Sequence, residues 1–463
     1  MKITGLPQGS PAFEREKQMG ITAELAEDLS KITVLTENDT AQLSKLIVDF
    51  FAASFAGYKQ NRHFNDAVER TVFPTGGAKE SSVLLHAEKL PAGKAAFMNA
   101  VYGHGAELDD GNKKAAGHAG VHLIPAVFAL AEKLGSTNND VLLALATGYE
   151  AYIRISSAAQ PGLVKRGYHS TGAAGTLACA AACARLYHLD AQGIEDAVAL
   201  STTMTGGLLS YGDSRPAIKP LNPAKAAENG VFAASLAAAG VKGPSEALEG
   251  PNGWFHAFTE TYNEECLRSA DHLLLHDCYF KLYPSCRHTH CGIDAAVSLH
   301  SRVKPEEIES VRVRIYPNAI KLAGIRIPKD ADDTKFSIHY TLAQALFRGA
   351  YGIDYMDPKA APEAVWDLVA RTELIADETM EDRKAGIRGA LVEIVKKDGA
   401  VLSEKVTVPR GDPENPVTEE EILTKLRICA AGLADDAALT KLVDAVKAVR
   451  GDGLFRYPAA DLL

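Results

Sequence analysis

Apolar residues recur at intervals of three to four positions through much of the chain, a spacing that predicts amphipathic helices. One predicted helix covers residues 38–58, where polar residues precede the apolar period and a glycine follows it. Others are predicted over 139–156, 190–204 and 224–240, and residues 81–85 and 95–102 are assigned to the same helical succession. The run 176–186 is so rich in alanine that its helix must pack closely on its neighbours. These patterns predict a large helical core.

The period shortens to two residues after about Cys266, and this change predicts strands. Residues 310–317 alternate apolar and basic side chains, and 390–408 form two alternating runs joined through 397–400, a pattern typical of a hairpin. From residue 418 the helical period returns. The predicted fold is mainly α with an α+β domain. It has a helical domain over 1–269, a smaller α+β domain over 270–410, and C-terminal helices over 411–463 that rejoin the helical domain.

Candidate chemistry concentrates in residues 103–134, where acids and histidines among glycines precede a long apolar helix. His118 is predicted at or near the N-terminus of that helix, a setting that binds anions and favours neutral, basic histidine. Glu107, Asp109 and Asp110 precede it on a glycine-flanked loop. Acids and a neutral base within one segment are the ingredients of general acid–base catalysis, although solvated acidic loops and histidine caps share this composition.

Other reactive groups lie outside that segment. His169 stands on a turn that leads into the alanine-rich helix. Lys219 is a cation among apolar residues, within a loop over 211–222 that glycine and prolines mark. Lys281 and Arg287 flank a further proline. Each of these residues also fits a capping or surface role, and spacing alone does not show that they meet.

The charge balance excludes an electrostatic nucleic-acid binder, because the 463 residues carry 49 Lys and Arg against 59 Asp and Glu, a net charge of −10. The first residues lack an apolar segment of signal-peptide length. No apolar run approaches the roughly 20 residues that cross a bilayer. We therefore expect a cytoplasmic protein with neither a nucleic-acid nor a membrane partner.

The seven cysteines are odd in number, and no pair has the spacing of a zinc ribbon or redox motif. We therefore expect neither a disulfide framework nor a structural zinc site. Cys286, His288, His290 and Cys291 form the tract that most resembles a metal site, although alternating histidines also arise by chance.

Five segments taken together resemble the MmgE/PrpD family, which includes 2-methylcitrate dehydratases, cis-aconitate decarboxylases and iminodisuccinate epimerase. They stand in the family's order from about residue 40 to 450: HGAELDDG with GHAG, RGYHSTGAAG, IKPLNPAKAAENG, YFKLYPSCRHTH and KFSIHYTLAQALFRG. The resemblance implies a large all-helical domain built from both chain ends, an inserted α+β lid domain and a homodimer. It agrees with the division drawn from periodicity.

By position, the resemblance also implies site residues. It gives catalytic roles to Glu107, His118, His169, Lys219 and Tyr340, and substrate binding to Asp109, Lys281 and Arg287. It implies no metal and no organic cofactor.

Four positions depart from the family pattern. Glu107 is a glutamate where aspartate is common, Gly111 and Asn112 stand where a threonine and an aromatic residue are usual, and Asn222 replaces a frequent histidine. These departures point to a substrate different from that of the named dehydratase, and they leave open whether the chain is active.

The implied chemistry removes a proton next to a carboxylate, or loses carbon dioxide to give an equivalent carbanion. A histidine would act as base, the lysines would hold carboxylates, and Tyr340 would donate a proton. Dehydration of a small di- or tricarboxylate is our first hypothesis, with epimerisation or decarboxylation as alternatives. The sequence does not choose which histidine is the base.

Two hypotheses from other classes remain. One is a family member that binds a carboxylate without turning it over. The other is a metal-dependent hydrolase that uses Asp109, Asp110, His118 and His122.

Overall fold

The computed structural model describes residues 20–210, 218–382 and 386–462. The N-terminal stretch and positions 211–217 of the predicted loop therefore lie outside the described residues. Within these ranges no helix is both long enough and apolar enough to span a membrane.

Helices dominate the chain, as predicted, and the fold is mainly α with a smaller α+β part. The helices are α1 Ile21–Ser30, α2 Glu37–Gln60, α3 Arg62–Val72, α4 Ala92–His104, α5 Gly120–Leu134, α6 Asn138–Ala158, α7 Gly162–Lys165, α8 Ser170–Leu186, α9 Ala191–Ser201, α10 Leu221–Ala238, α11 Trp254–Phe258, α12 His290–His300, α13 Pro317–Ala323, α14 Ala331–Thr334, α15 Ile338–Arg348, α16 Glu363–Arg371, α17 Glu419–Ala430 and α18 Asp436–Ala448.

The strands form small sheets. They are β1 Ser81–Val83, β2 His86–Leu90, β3 Gly111–Asn112, β4 Cys278–Tyr279, β5 Ile308–Ile315, β6 Thr372–Ala376, β7 Glu381–Asp382, β8 Ile387–Arg388, β9 Ala390–Lys396 and β10 Val401–Val406. The largest sheet has the order β10-β9-β5-β6, in which only β5 and β6 run parallel. β5 buries Val311, Val313 and Ile315 on one face, as its alternation predicts.

Buried apolar side chains form two clusters. The first combines residues between 25 and 280 with residues between 417 and 459, and Ile353 and Met356 join it. The second lies within residues 291–394 and covers one face of the largest sheet. C-terminal helix α17 packs on α2, so the two ends of the chain share one core. The domain boundaries at 269/270 and 410/411 stay predictions.

Helices α8 and α10 pack unusually close, because small residues line both of them. A Cβ atom added at Gly230 of α10 would lie 2.2 Å from the Cβ of Cys179 in α8. This confirms the expectation that the alanine-rich run is an interior helix with close neighbours.

Two local predictions were wrong. Residues 81–90 form the β1–β2 hairpin rather than helix, because strands of three and five residues are too short to show a period in the sequence. The first core is therefore not entirely helical. The predicted loop 211–222 also ends early, since α10 already begins at Leu221.

The close packing of α8 and α10 makes a prediction. Gly230→Ala should lower the free energy of unfolding by about 1–3 kcal/mol, because the added methyl group overpacks the contact with Cys179. Urea unfolding followed by circular dichroism measures the change.

Gly352→Ala is the matched control, since no described atom lies within 4 Å of its added Cβ and its φ of −154° suits alanine. It should change stability by less than about 0.5 kcal/mol. Equal stability of the two variants would contradict the close approach.

Candidate active site

The predicted site segment is a buried loop between α4 and α5. Its acids and bases lie almost wholly out of solvent: Glu107 is 5% exposed, Asp109 1% and His118 8%. Glu107 has a φ of 55°, a left-handed conformation that is uncommon for a residue with a side chain. His118 lies just before the N-terminus of α5, as predicted. Such constrained geometry at buried titratable groups is typical of functional sites.

Glu107 bridges two lysines from distant parts of the chain. Its Oε1 accepts from Lys219 Nζ, and its Oε2 lies 3.2 Å from Lys281 Nζ. Burial alone would raise the pKa of Glu107, but the two ammonium groups hold it well below its usual value. The carboxylate is therefore ionised, and Lys281 stays charged although it is only 1% exposed.

Asp109 holds two histidines at once. Its Oδ2 lies 2.8 Å from His104 Nδ1 and 3.2 Å from His118 Nδ1. The two rings are in edge contact, with centroids 5.0 Å apart. Burial would raise the pKa of Asp109, but the imidazoles beside it hold the pKa below its usual value. Asp109 thus fixes the orientation of His118 rather than pointing freely toward a substrate.

The hydrogen bonds of His118 define its tautomer. Its Nδ1 lies 2.6 Å from the carbonyl oxygen of Asp110, an atom that only accepts. Nδ1 therefore carries the proton, and Nε2 has the lone pair in the neutral ring. Burial lowers the pKa of His118 to about 3, so the neutral form prevails at pH 7.

His169 has the opposite arrangement. It is the N-cap residue of α8, and its Nδ1 lies 3.1 Å from Asn222 Nδ2. The same amide group also donates to the carbonyl oxygen of Leu208, which fixes the amide nitrogen on this side. Nδ1 of His169 is therefore an acceptor, and Nε2 carries the proton. Burial lowers the pKa of His169 as well, and Lys219 lowers it further.

Asp110 links the loop to helices α5 and α6. Its Oδ1 accepts from Gly120 N at the start of α5, and its Oδ2 lies 3.2 Å from the hydroxyl of Tyr149. Burial, reinforced by Asp109, raises the pKa of Asp110 to about 8. It is the protonated member of the acidic cluster at neutral pH.

Three buried ammonium groups hold the backbone of this loop. Lys335 Nζ donates to Gly105 O at 2.9 Å, Lys281 Nζ to Glu107 O at 3.0 Å and Lys425 Nζ to Leu108 O at 2.7 Å. Lys425 also pairs with Asp49 of α2, and burial raises the pKa of Asp49 to about 6. The loop is thus fixed from the second core, from the segment at 281 and from C-terminal helix α17.

Three of the residues that depart from the family pattern fit their surroundings. Gly111 lies against the ring of Tyr279, whose hydroxyl would be 2.4 Å from an added Cβ, so threonine would not fit there. Asn112 accepts from the backbone N–H groups of Lys114 and Ala115, which shapes the turn before α5. Asn222 orients His169, as described above. The departures at these three positions therefore leave the histidines and acids in place.

Two predicted site residues are engaged elsewhere. Arg287 pairs with buried Asp412 and stacks over the ring of Tyr279 at 4.7 Å, so it neighbours the cluster but already has a carboxylate partner. Tyr340 lies in the second core, where its hydroxyl donates to Tyr355 O at 2.9 Å and accepts from Gln344. No described contact brings Tyr340 to the cluster of Glu107.

The residues of the hydrolase hypothesis are not assembled. His122 faces Cys179 and the ring of Tyr152, away from Asp109. Within the described residues, His104, Asp109 and His118 are the group with ligand atoms close enough for a metal ion. Both imidazole Nδ1 atoms of that group face the Asp109 oxygen at hydrogen-bond distance, and His118 Nδ1 also donates to a carbonyl. This is the geometry of a hydrogen-bonded network.

The side chains of residues 286–291 also contact separate partners rather than one another. His288 bonds to the hydroxyl of Tyr316, and Cys291 Sγ donates to Arg388 O at 3.1 Å. His290 Nε2 lies 3.4 Å from Ser285 O. All seven cysteines of the chain are free thiols.

Residues 23–266 match the model of the MmgE/PrpD N-terminal domain, and residues 283–448 match that of the MmgE/PrpD C-terminal domain. The chain belongs to the MmgE/PrpD family. The C-terminal match contains the whole second core, and most of the first core lies within the two matched regions.

Relatives in the family carry one activity in their names. The chain is 28% identical to "Cis-aconitate decarboxylase" of Aspergillus terreus, with 92% of each chain covered. It is 26% identical to "Cis-aconitate decarboxylase" of Homo sapiens, over 90% of this chain and 89% of the relative. A third relative, 28% identical over 76% of this chain and 78% of its own length, is "Cis-aconitate decarboxylase-like protein oryM" of Aspergillus oryzae.

Sequence analysis missed His104, Lys335 and Lys425. His104 ends α4 within the predicted segment, but nothing in its spacing marks it as a partner of Asp109. Lys335 and Lys425 find their partners 230 and 317 residues away in the chain, so no local pattern signals them. One signal is available for Lys425, because this lysine stands on the face of α17 whose other residues are apolar and buried.

The burial of neutral His122 leads to a prediction about how the free energy of unfolding depends on pH. Burial lowers its pKa to about 3 in the folded protein, whereas the unfolded chain titrates near 6.5. Between these values only the unfolded state binds the proton, so stability falls as pH falls. His122→Gln should therefore lose about 2 kcal/mol less than the wild type between pH 7 and pH 5.

Urea unfolding at both pH values measures this difference. Carboxyl groups with raised pKa values are present in both proteins, so their contribution cancels in the comparison. His63→Gln is the control, because His63 is exposed on α3 and hydrated in both states. An H122Q profile identical to that of the wild type would show that His122 is not buried in the neutral form.

Proposed function

We propose that this chain is a cofactor-independent lyase that acts on a small tri- or dicarboxylate, with decarboxylation of a cis-aconitate-like substrate as its reaction. The observation that carries the proposal is the pair of neutral histidines with opposite tautomers beside two lysines. Membership of the MmgE/PrpD family and the printed activity of its relatives support the reaction type.

His118 is proposed as the group that handles the substrate proton. Its Nε2 has a lone pair, because Nδ1 is held as a donor by Asp110 O and Asp109. A polycarboxylate beside the ring adds negative charge, which raises the pKa of the imidazole. His118 then takes up a proton from solvent, and the imidazolium donates that proton to the carbanion that loss of carbon dioxide leaves, which restores the neutral ring.

His169 is proposed as a hydrogen-bond donor to the developing negative charge. Its Nε2–H is fixed by the bond between Nδ1 and Asn222. Lys219 and Lys281 supply fixed positive charge beside it. Preorganised donors and cations stabilise an enolate-like anion without rearranging during the reaction. Glu107 contacts both lysines in the unliganded protein, and Asp109 positions His118.

The later step decides the product. In decarboxylation, the bond from carbon to a carboxylate breaks, carbon dioxide leaves, and the electron pair conjugates with a remaining carboxylate before a proton is added. Dehydration is the second candidate, because a base and a separate donor on different loops would also serve loss of a hydroxyl group. Epimerisation needs the same groups but a proton on each face.

Arg287 and Tyr340 are proposed to support the structure around the site rather than to contact the substrate. Arg287 stabilises the cluster through Tyr279 and Asp412, and Tyr340 supports the second core. A homodimer, a cytoplasmic location and independence of metal ions remain parts of the proposal, with the family resemblance and the seven free cysteines as support.

Proton NMR in deuterium oxide tests the reaction. The purified protein is incubated with cis-aconitate, citrate, 2-methylcitrate, malate and iminodisuccinate. We expect conversion of cis-aconitate to a five-carbon dicarboxylate that carries one deuterium, because solvent supplies the added proton. His118→Gln and His169→Asn should each lower kcat by at least about a hundredfold, the usual range for removal of a general acid or base.

His188→Gln is the control, since this exposed side chain lies at the end of α8, away from the loop. It should retain wild-type kcat. Deuterium incorporation into an unconverted substrate would indicate epimerisation, and release of water from citrate would indicate dehydration. Absence of any change in all five compounds would contradict the proposed lyase and favour a carboxylate-binding protein.

A further inference from the structure

Both lysines that are proposed to hold substrate carboxylates are already covered by a carboxylate of the chain itself. Lys219 Nζ contacts Oε1 of Glu107, and Lys281 Nζ contacts Oε2 at 3.2 Å. With Asp109 included, the ammonium and carboxylate charges of the cluster balance. The Glu107 carboxylate therefore lies where a substrate carboxylate would bridge the two ammonium groups.

We infer that Glu107 occupies, in the unliganded protein, the subsite that receives a carboxylate of the substrate, with Lys219 and Lys281 as its walls. The inference rests on the proposed function, because that function supplies a polycarboxylate as ligand. Glu107 is then an internal competitor that sets the affinity for substrate.

The subsite persists when the side chain leaves. Lys281 Nζ also donates to the backbone carbonyl of Glu107 at 3.0 Å, a bond that does not depend on the carboxylate. Since Lys281 is 1% exposed and enclosed by the fold, its ammonium group stays in place. The incoming carboxylate replaces the outgoing one on the same donors, so no buried ammonium group loses its partner.

A second position for the Glu107 carboxylate is available beside it. His104 Nε2 lies 3.9 Å from Oε1 of Glu107, is buried, and has no hydrogen-bond partner among the described residues. A shift of about 1 Å would bring the two atoms to hydrogen-bond distance. Buried polar atoms are rarely left without a partner, so the unsatisfied nitrogen points to an alternative state in which Glu107 contacts it.

That state requires one added proton. His104 Nδ1 already faces Asp109 at 2.8 Å, so the ring donates from both nitrogens only when it carries two protons. The groups that face Glu107 are Lys219, Lys281, His104 and His118. A bound polycarboxylate neutralises the two lysines and thereby favours uptake of a proton from solvent.

Asp109 and His169 complete the surroundings of the His104 ring, which stacks on His169 with centroids 5.8 Å apart. The carboxylate of Glu107 also acts on His169, whose pKa it raises. The difference between the wild type and a Glu107 variant therefore measures the contribution of the Glu107 carboxylate to proton uptake by the histidines around it.

Isothermal titration calorimetry with tricarballylate, a saturated tricarboxylate that neither dehydrates nor carries a conjugated double bond, tests the inference. Glu107→Gln keeps the size of the side chain but removes its charge, and it should bind at least about tenfold more tightly than the wild type. Titration in buffers of different ionisation enthalpy should show that the wild type takes up more protons per ligand than E107Q.

Glu228→Gln is the matched control, because Glu228 likewise bridges two lysines, Lys94 and Lys225, but outside the cluster. Its affinity should stay within about threefold of the wild type. Glu107→Asp, with a shorter side chain, should have intermediate affinity and provides the test if E107Q does not fold.

Equal or weaker binding by E107Q would overturn the inference and leave the proposed function standing. Equal tightening in E228Q and E107Q would also overturn it, since net charge alone would then explain the effect. If neither the wild type nor any variant bound tricarballylate, the site would not be a polycarboxylate site, and both proposals would fail.

Discussion

Three buried ammonium groups donate to three carbonyl oxygens within residues 105–108, and the geometry of the site depends on these bonds. Lys335, Lys281 and Lys425 reach Gly105, Glu107 and Leu108 from three separate parts of the chain. A buried ammonium group without partners is strongly unfavourable, so the loop and the lysines must be in place together. The left-handed conformation of Glu107 persists because its neighbours fix it on both sides.

The same cluster separates the protonation states that the chemistry needs. Asp110 is protonated because it lies beside the ionised Asp109 in a buried setting, whereas Glu107 is ionised because two lysines contact it. Two histidines are neutral, and their Nδ1 partners give them opposite tautomers. A base, a donor and fixed positive charge therefore coexist within one small volume, from which water is largely excluded.

Periodicity and local signals predicted much of the fold, because they report local physics. The helix at 38–58 was found as Glu37–Gln60, where Thr36 and Asp39 form a capping box, and the hairpin at 390–408 was found as β9 and β10. The strands at 81–90 were missed, since so few residues show no period.

The structure brings together the acids, bases and two lysines of the candidate site, which lie in segments that share glycines, prolines and a family order, while their roles stay predictions. Its supporting contacts could not be predicted. Lys335 and Lys425 act over hundreds of residues, and Tyr340 lies within an otherwise matching motif while its hydroxyl bonds within the second core. Such contacts depend on how the two cores pack, which local patterns do not encode.

We propose that one buried cluster, with Lys219 and Lys281 on one side and the two histidines on the other, binds a polycarboxylate. A crystal structure of the protein with tricarballylate is the decisive experiment. We predict a ligand carboxylate within hydrogen-bond distance of both ammonium groups, with the Glu107 side chain turned toward His104. A ligand bound elsewhere, with Glu107 still on both lysines, would show that the cluster is not the binding site.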